Sequence, residues 1–580
     1  MTRSTSALHT GSVHIKPRPR HSAEGPILTV DGRWQVGRLR FEAGHGDRIV
    51  SCYADRPANF GTLIEEAIRV GGEREAVVAH DGRLTWQQLG KWSDSVAHCL
   101  QRDGIKRGDR IALSLSNGTS FVVALIAALR IGVTVVPINI REQREEIAHI
   151  VNDSDCAAVI FGPESQAQLP THSTCPGVRL WVDQGGHFFS KDTAAPIPIE
   201  KIAEHELAFI FYTSGTTGRP KGAMLTHANV VHSVLNFTDC LQLSAEDRML
   251  VAVPMSHVTG LIGMIATAIC AKATLLVMQS FDVADFITFA SAERATHTIL
   301  VPAMYNLILL RADLKLADLQ SWRIGGYGGA PMPASTIARI ADALPDLQLW
   351  NLYGATETTS AVTMLPPRFA ISHGDSVGFP APGATILVMD RDGRELPPGE
   401  IGELWIGGPT VAQGYWNNPD ATHQSFTAGF WKSGDIGSIE DDGFVRVLDR
   451  AKDLINRGGY KIFSAEVESV LSTHPEIVEA AIVPKYCAVL GERVHAFVTM
   501  KEGSKVSAED LDAFVQDHLA DFKRPESWTI SGSPLPRNAN GKILKRPLRD
   551  IVAHLFPTQI DRQAGSRIGD HTSKLEMRDE

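Results

Sequence analysis

The sequence predicts an α/β protein: a large N-terminal domain of parallel sheets covered by helices, a small β-rich subdomain, then a small α+β C-terminal domain. Three observations predict it. From about residue 57, apolar strands alternate with helical segments of about ten residues, the rhythm of crossover units in parallel sheets. After about residue 375, Gly- and Pro-rich turns separate short alternating strands. From residue 465 to 530 helical and strand periods mix in one compact unit. A chain of 580 residues is also too long for one ordinary core. The divisions read as an extension over 1–50, a large domain over 51–449, a small domain over 450–556 and a polar tail over 557–580.

In the extension, residues 1–23 hold Arg3, Lys16, Arg18 and Arg20 and no acid, but Pro17 and Pro19 break any amphipathic helix, so a disordered tail is expected. The apolar run 27–30, Asp31-Gly32 and then 34–41 suit a hairpin around an Asp-Gly turn. Helical spacing over 60–70 leads to a hairpin, 76–80 with 83–85 around Asp81-Gly82, and to a helix over 86–101. Strand 111–116, helix 120–130, strand 133–137, helix 142–153 and strand 157–161 continue the alternation. The run 207–211 is a buried strand and 228–235 opens a helix. The most apolar stretch, 261–278, is interrupted by Lys272, so it reads as a core helix running into a strand, not a membrane span. The rhythm repeats over 250–352; strands at 384–389 and 402–406 belong to the β-rich part. Last come helix 465–472, strands 478–484 and 496–500, helix 508–519 and strand 527–530.

Composition excludes several classes. Hydrophobic content of 43% with 21% charged residues is that of a soluble globular chain. A net charge of −10 argues against a general nucleic-acid binder. Seven scattered cysteines without a CxxC pair fit a reduced, cytoplasmic compartment and no metal–thiolate site.

The stretch Tyr212-Thr213-Ser214-Gly215-Thr216-Thr217-Gly218-Arg219-Pro220-Lys221-Gly222 holds three glycines and four Ser/Thr hydroxyls. Small residues let backbone N–H groups approach a polyphosphate, hydroxyls add donors, and Lys221 adds a point charge. No Gly-Lys-Ser/Thr ends it, so it is not a Walker-type loop. Downstream, Gly325-Gly326-Tyr327-Gly328-Gly329-Ala330-Pro331 offers bare backbone to a planar base. Asn351-Leu352-Tyr353-Gly354-Ala355-Thr356-Glu357-Thr358, Trp431-Lys432-Ser433-Gly434-Asp435, Asp449-Arg450-Ala451-Lys452-Asp453, Asn456-Arg457-Gly458-Gly459-Tyr460-Lys461 and Pro536 through Arg546, with Lys542, follow in order. Singly, each has a bland alternative: a helix cap, a turn, a basic loop, a solvated lysine at 461.

In this order the elements resemble those of the adenylate-forming (AMP-binding) superfamily of acyl-CoA synthetases, peptide-synthetase adenylation domains and beetle luciferases, and most closely the acyl-CoA synthetases that act as fatty-acid or aryl-CoA ligases. The resemblance covers about residues 57–550. It implies that Thr213, Ser214, Gly215, Thr216, Thr217, Gly218 and Lys221 grip the phosphates of ATP. Gly328, Gly329, Ala330 and Pro331 would wall the adenine, Tyr353 pack on it, and Asp435 and Arg450 hold the nucleotide. Thr356 would bind the α-phosphate, Glu357 with Thr213 would hold Mg²⁺, and Lys542 would bridge the acid's carboxylate and the α-phosphate. Lys452 would be the hinge about which a mobile C-terminal domain swings, and Gly458 and Gly459 would line the pantetheine path of coenzyme A.

The segment from Val253 to Gly260 resembles the family's acyl pocket, with His257 beside the carboxylate and Thr259, Gly260 and Tyr327 nearby. It lacks the Asp that usually holds an amino group, which argues against an amino acid and for a fatty or aromatic monocarboxylic acid. The implied reaction is attack of the carboxylate on ATP with loss of pyrophosphate, then transfer of the acyl group to coenzyme A. An acyl-AMP ligase loading the phosphopantetheine of a carrier protein is the alternative; oligomeric state stays open. A non-catalytic nucleotide-binding interaction protein would be expected to have lost Glu357, Asp435 or Lys542, and all are present.

Overall fold

The computed structural model describes residues 34, 36–44, 48–186, 189, 197, 201–213, 219–314, 317–537 and 542–556. The hairpin expected around Asp31-Gly32 lies largely outside these residues, as do both expected tails. The observed N-terminal hairpin is a different one: Leu39–Gly44 pairs antiparallel with Arg48–Tyr53, so its second strand crosses position 50. It is tied to the body by charge and shape. Arg56 bonds Glu42 and Glu204 at once, and the Tyr53 hydroxyl donates to Asn236 Oδ1 at 3.0 Å. Trp34 Nε1 donates to the carbonyl of Pro380 at 2.8 Å and its ring stacks on Trp350.

Two large sheets carry the N-terminal domain. One has the strand order Lys221–Thr226, Leu207–Thr213, Thr134–Pro137, Arg110–Ser114, Cys156–Phe161 and Leu180–Asp183, parallel except for its first pair. The other has nine strands, with a parallel centre from Gln348–Ala355 through Ile324–Tyr327, His297–Leu300, Arg248–Val251 and Thr274–Val277 to Glu75–Ala79. Antiparallel strands close both of its edges. Helices Thr119–Arg130 and His227–Cys240 touch strands of both sheets and are buried almost all round. This explains their sequences: Thr119–Arg130 is apolar on every face because each face meets protein. Asn117 pins the sheets together at one end, its amide donating to the carbonyls of Val253 and Met278 while its oxygen accepts from Met255 N.

The β-rich part is an antiparallel sheet of Thr385–Met389, Gly402–Gly407, Phe426–Thr427, Phe430–Ile439 and Val445–Arg450. The C-terminal unit has cores of its own around a sheet built on the long hairpin Ile477–Cys487 and Gly491–Met500. Helices Ser464–Leu471 and Ala508–Gln516 pack on one face of that sheet, and Lys545–Leu555 on the other. Among the described residues all seven cysteines are free, and no helix is long and apolar enough to cross a membrane.

One close approach shapes the site end of the nine-stranded sheet. Gly354 sits at a register shift between Gln348–Ala355 and Ser360–Leu365, and a Cβ there would lie 1.9 Å from the Ser360 carbonyl oxygen. Gly393, by contrast, has a left-handed φ of 78° but nothing within 4 Å of an added Cβ. Gly393→Ala should therefore cost only the conformational term, about 1 kcal/mol. Gly354→Ala should cost about 3 kcal/mol through a clash with backbone. Thermal melts of the two variants should rank in that order; equal midpoints would contradict the steric reading.

Candidate active site

The phosphate-loop candidate is the connection of a hairpin. Leu207–Thr213 pairs with Lys221–Thr226, placing Thr213 opposite Lys221. The second strand was not expected from the sequence, where only a helix from 228 was read. Ser214, Gly215, Thr216, Thr217 and Gly218 lie outside the described residues. The hairpin base is fixed from behind: the Tyr212 hydroxyl donates to Asp153 Oδ2 at 2.6 Å, and Trp416 N donates to the Gly222 carbonyl at 2.7 Å. Lys221 Nζ sits 5.3 Å from the centroid of the Tyr415 ring.

Glu357 lies in a single 3-10 turn, Thr356–Thr358, and Thr356 at its start is half-buried. The turn is followed by Thr359 and Ser360 at φ 53° and 84°, a left-handed pair that non-glycine residues seldom adopt. Neighbours hold the strain in place: Ser233 Oγ donates to the Thr359 carbonyl and Thr359 Oγ1 to the Thr410 carbonyl, both at 2.6 Å. The Glu357 carboxylate is buried and accepts from the Tyr415 hydroxyl at 2.8 Å. Burial raises its pKa, and the Tyr415 bond and the charges of Arg450 and Lys221 oppose that rise. A buried carboxylate held by one hydroxyl fits a hard cation completed by phosphate oxygens and water. No described contact joins Thr213 to Glu357; the Thr213 hydroxyl faces the Lys221 carbonyl at 3.5 Å.

Asp435 and Arg450 are register partners on adjacent strands, and Arg450 Nε lies 2.9 Å from Asp435 Oδ1. The other carboxylate oxygen accepts from the Tyr353 hydroxyl at 2.6 Å. A carboxylate has lone pairs enough to keep both bonds and accept ribose hydroxyls as well. Lys542, from the C-terminal unit, lies close enough to feel the charges of Arg450 and Asp435. Its side chain is solvent-accessible, yet protein surrounds the ammonium closely enough to push its pKa down to about 8. Burial is the main cause, Arg450 adds to it, and Asp435 works the other way. The charge of Lys542 also reaches His257, which burial and this charge hold down at about 4.

His257 is positioned by short-range bonds. Its N–H donates to the Pro254 carbonyl at 3.1 Å, and its Nδ1 accepts from Thr259 N at 3.3 Å. With Nδ1 accepting, the proton of the neutral ring belongs on Nε2, making that nitrogen a donor. Gly260 has no room for a side chain, because a Cβ would lie 2.2 Å from the Pro254 oxygen. Its smallness serves this turn, where a π-type helix over Thr259–Ala266 begins. Gly328 is likewise pressed on the Leu352 carbonyl, at 2.3 Å from a virtual Cβ. Gly329, Ala330 and Pro331 beside it are exposed and available as a wall.

Three expected parts stand apart. Tyr327 is fully buried beneath that wall, and its hydroxyl has no hydrogen-bond partner among the described residues. Gly458 and Gly459, at φ 59° and 96°, form an exposed turn between Ile455–Arg457 and Tyr460–Ile462. No described contact joins that turn to Asp435, Arg450 or Lys542. Lys452 has an exposed side chain, but its backbone lies between two anchors: Ala451 N donates to the Gly434 carbonyl, and Arg549 donates to the Lys452 carbonyl at 2.9 Å. Tyr415, which bonds Glu357, was missed; its only sequence signal was an aromatic pair, Tyr415-Trp416, behind Gly414.

The profile of the AMP-binding enzyme family matches residues 64–416, and that of the AMP-binding enzyme C-terminal domain matches 466–542. Feruloyl-CoA synthase of an Amycolatopsis species is 33% identical over 474 residues, 81% of this chain and 95% of that protein. A fatty acid–[acyl-carrier-protein] ligase, ScoC of Streptomyces coeruleorubidus, is 32% identical over 82% of this chain and 93% of its own. The structure of o-succinylbenzoate coenzyme A synthetase from Bacillus subtilis with ATP and magnesium ion superposes with a TM-score of 0.76 at 29% identity, covering 84% of this chain and 99% of that one.

The setting of Lys542 has a direct test. Labelling with an amine-selective reagent over a pH series, read by peptide mass spectrometry, should show Lys542 titrating near 8 instead of the usual 10.5. Asp435→Asn should lower the midpoint further, because the Asp435 charge supports the ammonium. A midpoint unchanged from an ordinary lysine would place the side chain outside the cleft.

Proposed function

We propose, since the chain belongs to the AMP-binding enzyme family, that the cluster of Lys542, His257, Thr356, Glu357, Asp435 and Arg450 carries its first half-reaction. The chain is an AMP-forming acid–thiol ligase: it activates a carboxylic acid with ATP to an acyl-adenylate, releases pyrophosphate, and passes the acyl group to coenzyme A. The observation that supports the site assignment is the joining of Asp435 to Arg450 at 2.9 Å and to the Tyr353 hydroxyl at 2.6 Å, with the charge of Lys542 felt at His257.

In this reading Asp435 accepts the ribose hydroxyls, and Gly329 to Pro331 with Tyr353 enclose the base. Arg450 orients Asp435 through the bond from its Nε. The neutral His257 donates from Nε2 to the acid's carboxylate, and the Lys542 ammonium lies between carboxylate and α-phosphate. A carboxylate oxygen forms its bond to the α-phosphorus as the bond to the pyrophosphate oxygen breaks, so the work is positioning and charge neutralisation. Mg²⁺, held by Glu357, would supply counter-charge on the phosphates. Lys542 must be cationic for this, so pyrophosphate release should fall as pH rises through about 8.

The second half-reaction needs a thiol path. We assign the Gly458–Gly459 turn to it, reached by rotation of the C-terminal unit about Lys452. The likeness to a carrier-protein ligase keeps a phosphopantetheine acceptor as the second reading, decided by supplying either acceptor to preformed acyl-adenylate. Free cysteines throughout favour a cytoplasmic setting.

The acid pocket favours a compact tail. Val301 is half-buried and Ala303 and Gly329 are exposed, while Met304, Tyr305, Trp322 and Tyr327 are buried, with Tyr305 and Trp322 stacked. Across the sheet, a Cβ on Gly263 would already touch Ile299, Ser360 and Phe237. A short or aryl acid fits such a site better than a long alkyl chain.

Two outcomes are expected. Lys542→Ala should abolish pyrophosphate release, by about a thousandfold or more if its charge stabilises the transition state, and leave thiolysis of supplied acyl-adenylate largely intact; equal loss of both would remove it from the first step. Tyr327→Ala should shift the pyrophosphate-release profile of a chain-length panel towards longer acids. Parallel loss for every acid, or a wild-type preference for long chains, would refute the compact pocket.

A further inference from the structure

The residue the sequence did not single out, Tyr415, joins the two halves of the phosphate site. Its segment is a strap laid across them. Ala412 N donates to the Glu357 carbonyl at 2.8 Å, Met224 N to the Gly414 carbonyl at 3.0 Å, and Trp416 N to the Gly222 carbonyl at 2.7 Å. Tyr415 itself bridges Ala223 on the strand that leaves the phosphate loop. Asn229 holds the strap from below through the carbonyls of Pro409 and Val411.

Within the strap the Tyr415 ring is buried, with Phe426 at 5.7 Å in an edge arrangement, and Thr422 accepts its backbone N–H. One end of the side chain, the hydroxyl, donates to Glu357 Oε1 at 2.8 Å. Its face carries the Lys221 ammonium at 5.3 Å from the ring centroid. A buried carboxylate left to rotate would offer either oxygen in many directions. Tied through Oε1, it keeps Oε2 for a cation. The bond also stabilises the ionised form against burial.

We propose that Tyr415 is a positioning residue that sets the Glu357 carboxylate for Mg²⁺ and the Lys221 ammonium for the ATP phosphates together, so that metal and phosphate binding are coupled through one side chain. The inference rests on the reading of Glu357 as the metal carboxylate.

The test uses the full chain with Mn²⁺ in place of Mg²⁺, read by electron paramagnetic resonance as bound Mn²⁺ in the presence of ATP. Tyr415→Phe keeps the ring under Lys221 and removes only the hydroxyl. It should weaken Mn²⁺ retention about tenfold, the usual cost of losing a group that orients a metal ligand, and raise the Mg²⁺ concentration needed for half-maximal pyrophosphate release by a similar factor. Tyr415→Leu, which also removes the ring, should in addition weaken ATP binding without metal in calorimetry. Thiolysis of supplied acyl-adenylate should not follow these losses. Unchanged Mn²⁺ retention in Tyr415→Phe, or a parallel fall in thiolysis, overturns the proposal. If Glu357→Gln also leaves Mn²⁺ retention unchanged, the metal assignment of Glu357 has failed, and the inference with it; if Glu357→Gln loses the metal and Tyr415→Phe does not, only the inference has.

Discussion

The Asp435 carboxylate is the constraint on which the rest of the site depends. It is almost fully buried, and a buried anion is costly unless charge and hydrogen bonds surround it. Arg450 and the Tyr353 hydroxyl supply them, one from the strand beside it and one from the end of the nine-stranded sheet. The Tyr353 bond joins the β-rich part to the nine-stranded sheet, and the Arg450 bond holds the carboxylate within its own sheet where the chain leaves for its C-terminal unit. Because Arg450 is the last residue of its strand, the ion pair also fixes where the hinge begins. The same anion tempers the depression of the Lys542 pKa, so one carboxylate serves the fold and, in the proposed reaction, the nucleotide and the catalytic cation.

Close backbone approach is the second constraint, and it changes what the glycines mean. Gly260, Gly328 and Gly354 each face a carbonyl oxygen at a distance no Cβ tolerates. They let turns and strands meet closely in the segments that carry His257, the exposed wall at 329–331 and Glu357. Gly458 and Gly459 differ: both have left-handed φ, and Gly459 has open space around it. Their role is conformational, and their lack of side chains leaves a bare surface on the small domain.

Much of this was legible in the sequence because it is local or periodic. The helix read over 60–70 is Phe60–Gly71, that over 86–101 is Trp86–Arg102, and the apolar stretch from 261 is helix running into the strand Thr274–Val277. Each carries its own signal, in caps such as Thr85 with Gln88 and in unbroken apolar runs. The illegible parts are set by distant partners. Lys221–Thr226 has no strand signature of its own and is a strand because Leu207–Thr213 offers it an edge. Tyr415 gains its meaning from Glu357, 58 positions away. Tyr327 is a pocket neighbour by sequence order, but strand alternation turns its ring into the layer of Tyr305 and Trp322, beneath the wall.

The C-terminal unit explains why two half-reactions would need two arrangements. Lys542 and the Gly458–Gly459 turn belong to one packed body. Gly458 N bonds the Leu490 carbonyl at the turn of the long hairpin, while Ile543, next to Lys542, packs with Ala481, Val483 and Phe497 along that hairpin's opposite face. A body with a filled core between two such points moves as a unit, so bringing the turn to the cleft must withdraw the lysine. The pivot has to lie beyond the last bond that ties the chain to the large domain. Ala451 N to the Gly434 carbonyl is such a bond, and Arg549 grips the chain again from Lys452 onward. Between these anchors Asp453 N at 2.8 Å and Leu454 N at 3.1 Å both donate to the Arg450 carbonyl, closing a turn over Lys452 that the proposed rotation would have to open. The exposed Lys452 side chain has no tight core packing to lose in such a rotation, whereas a core position would resist it.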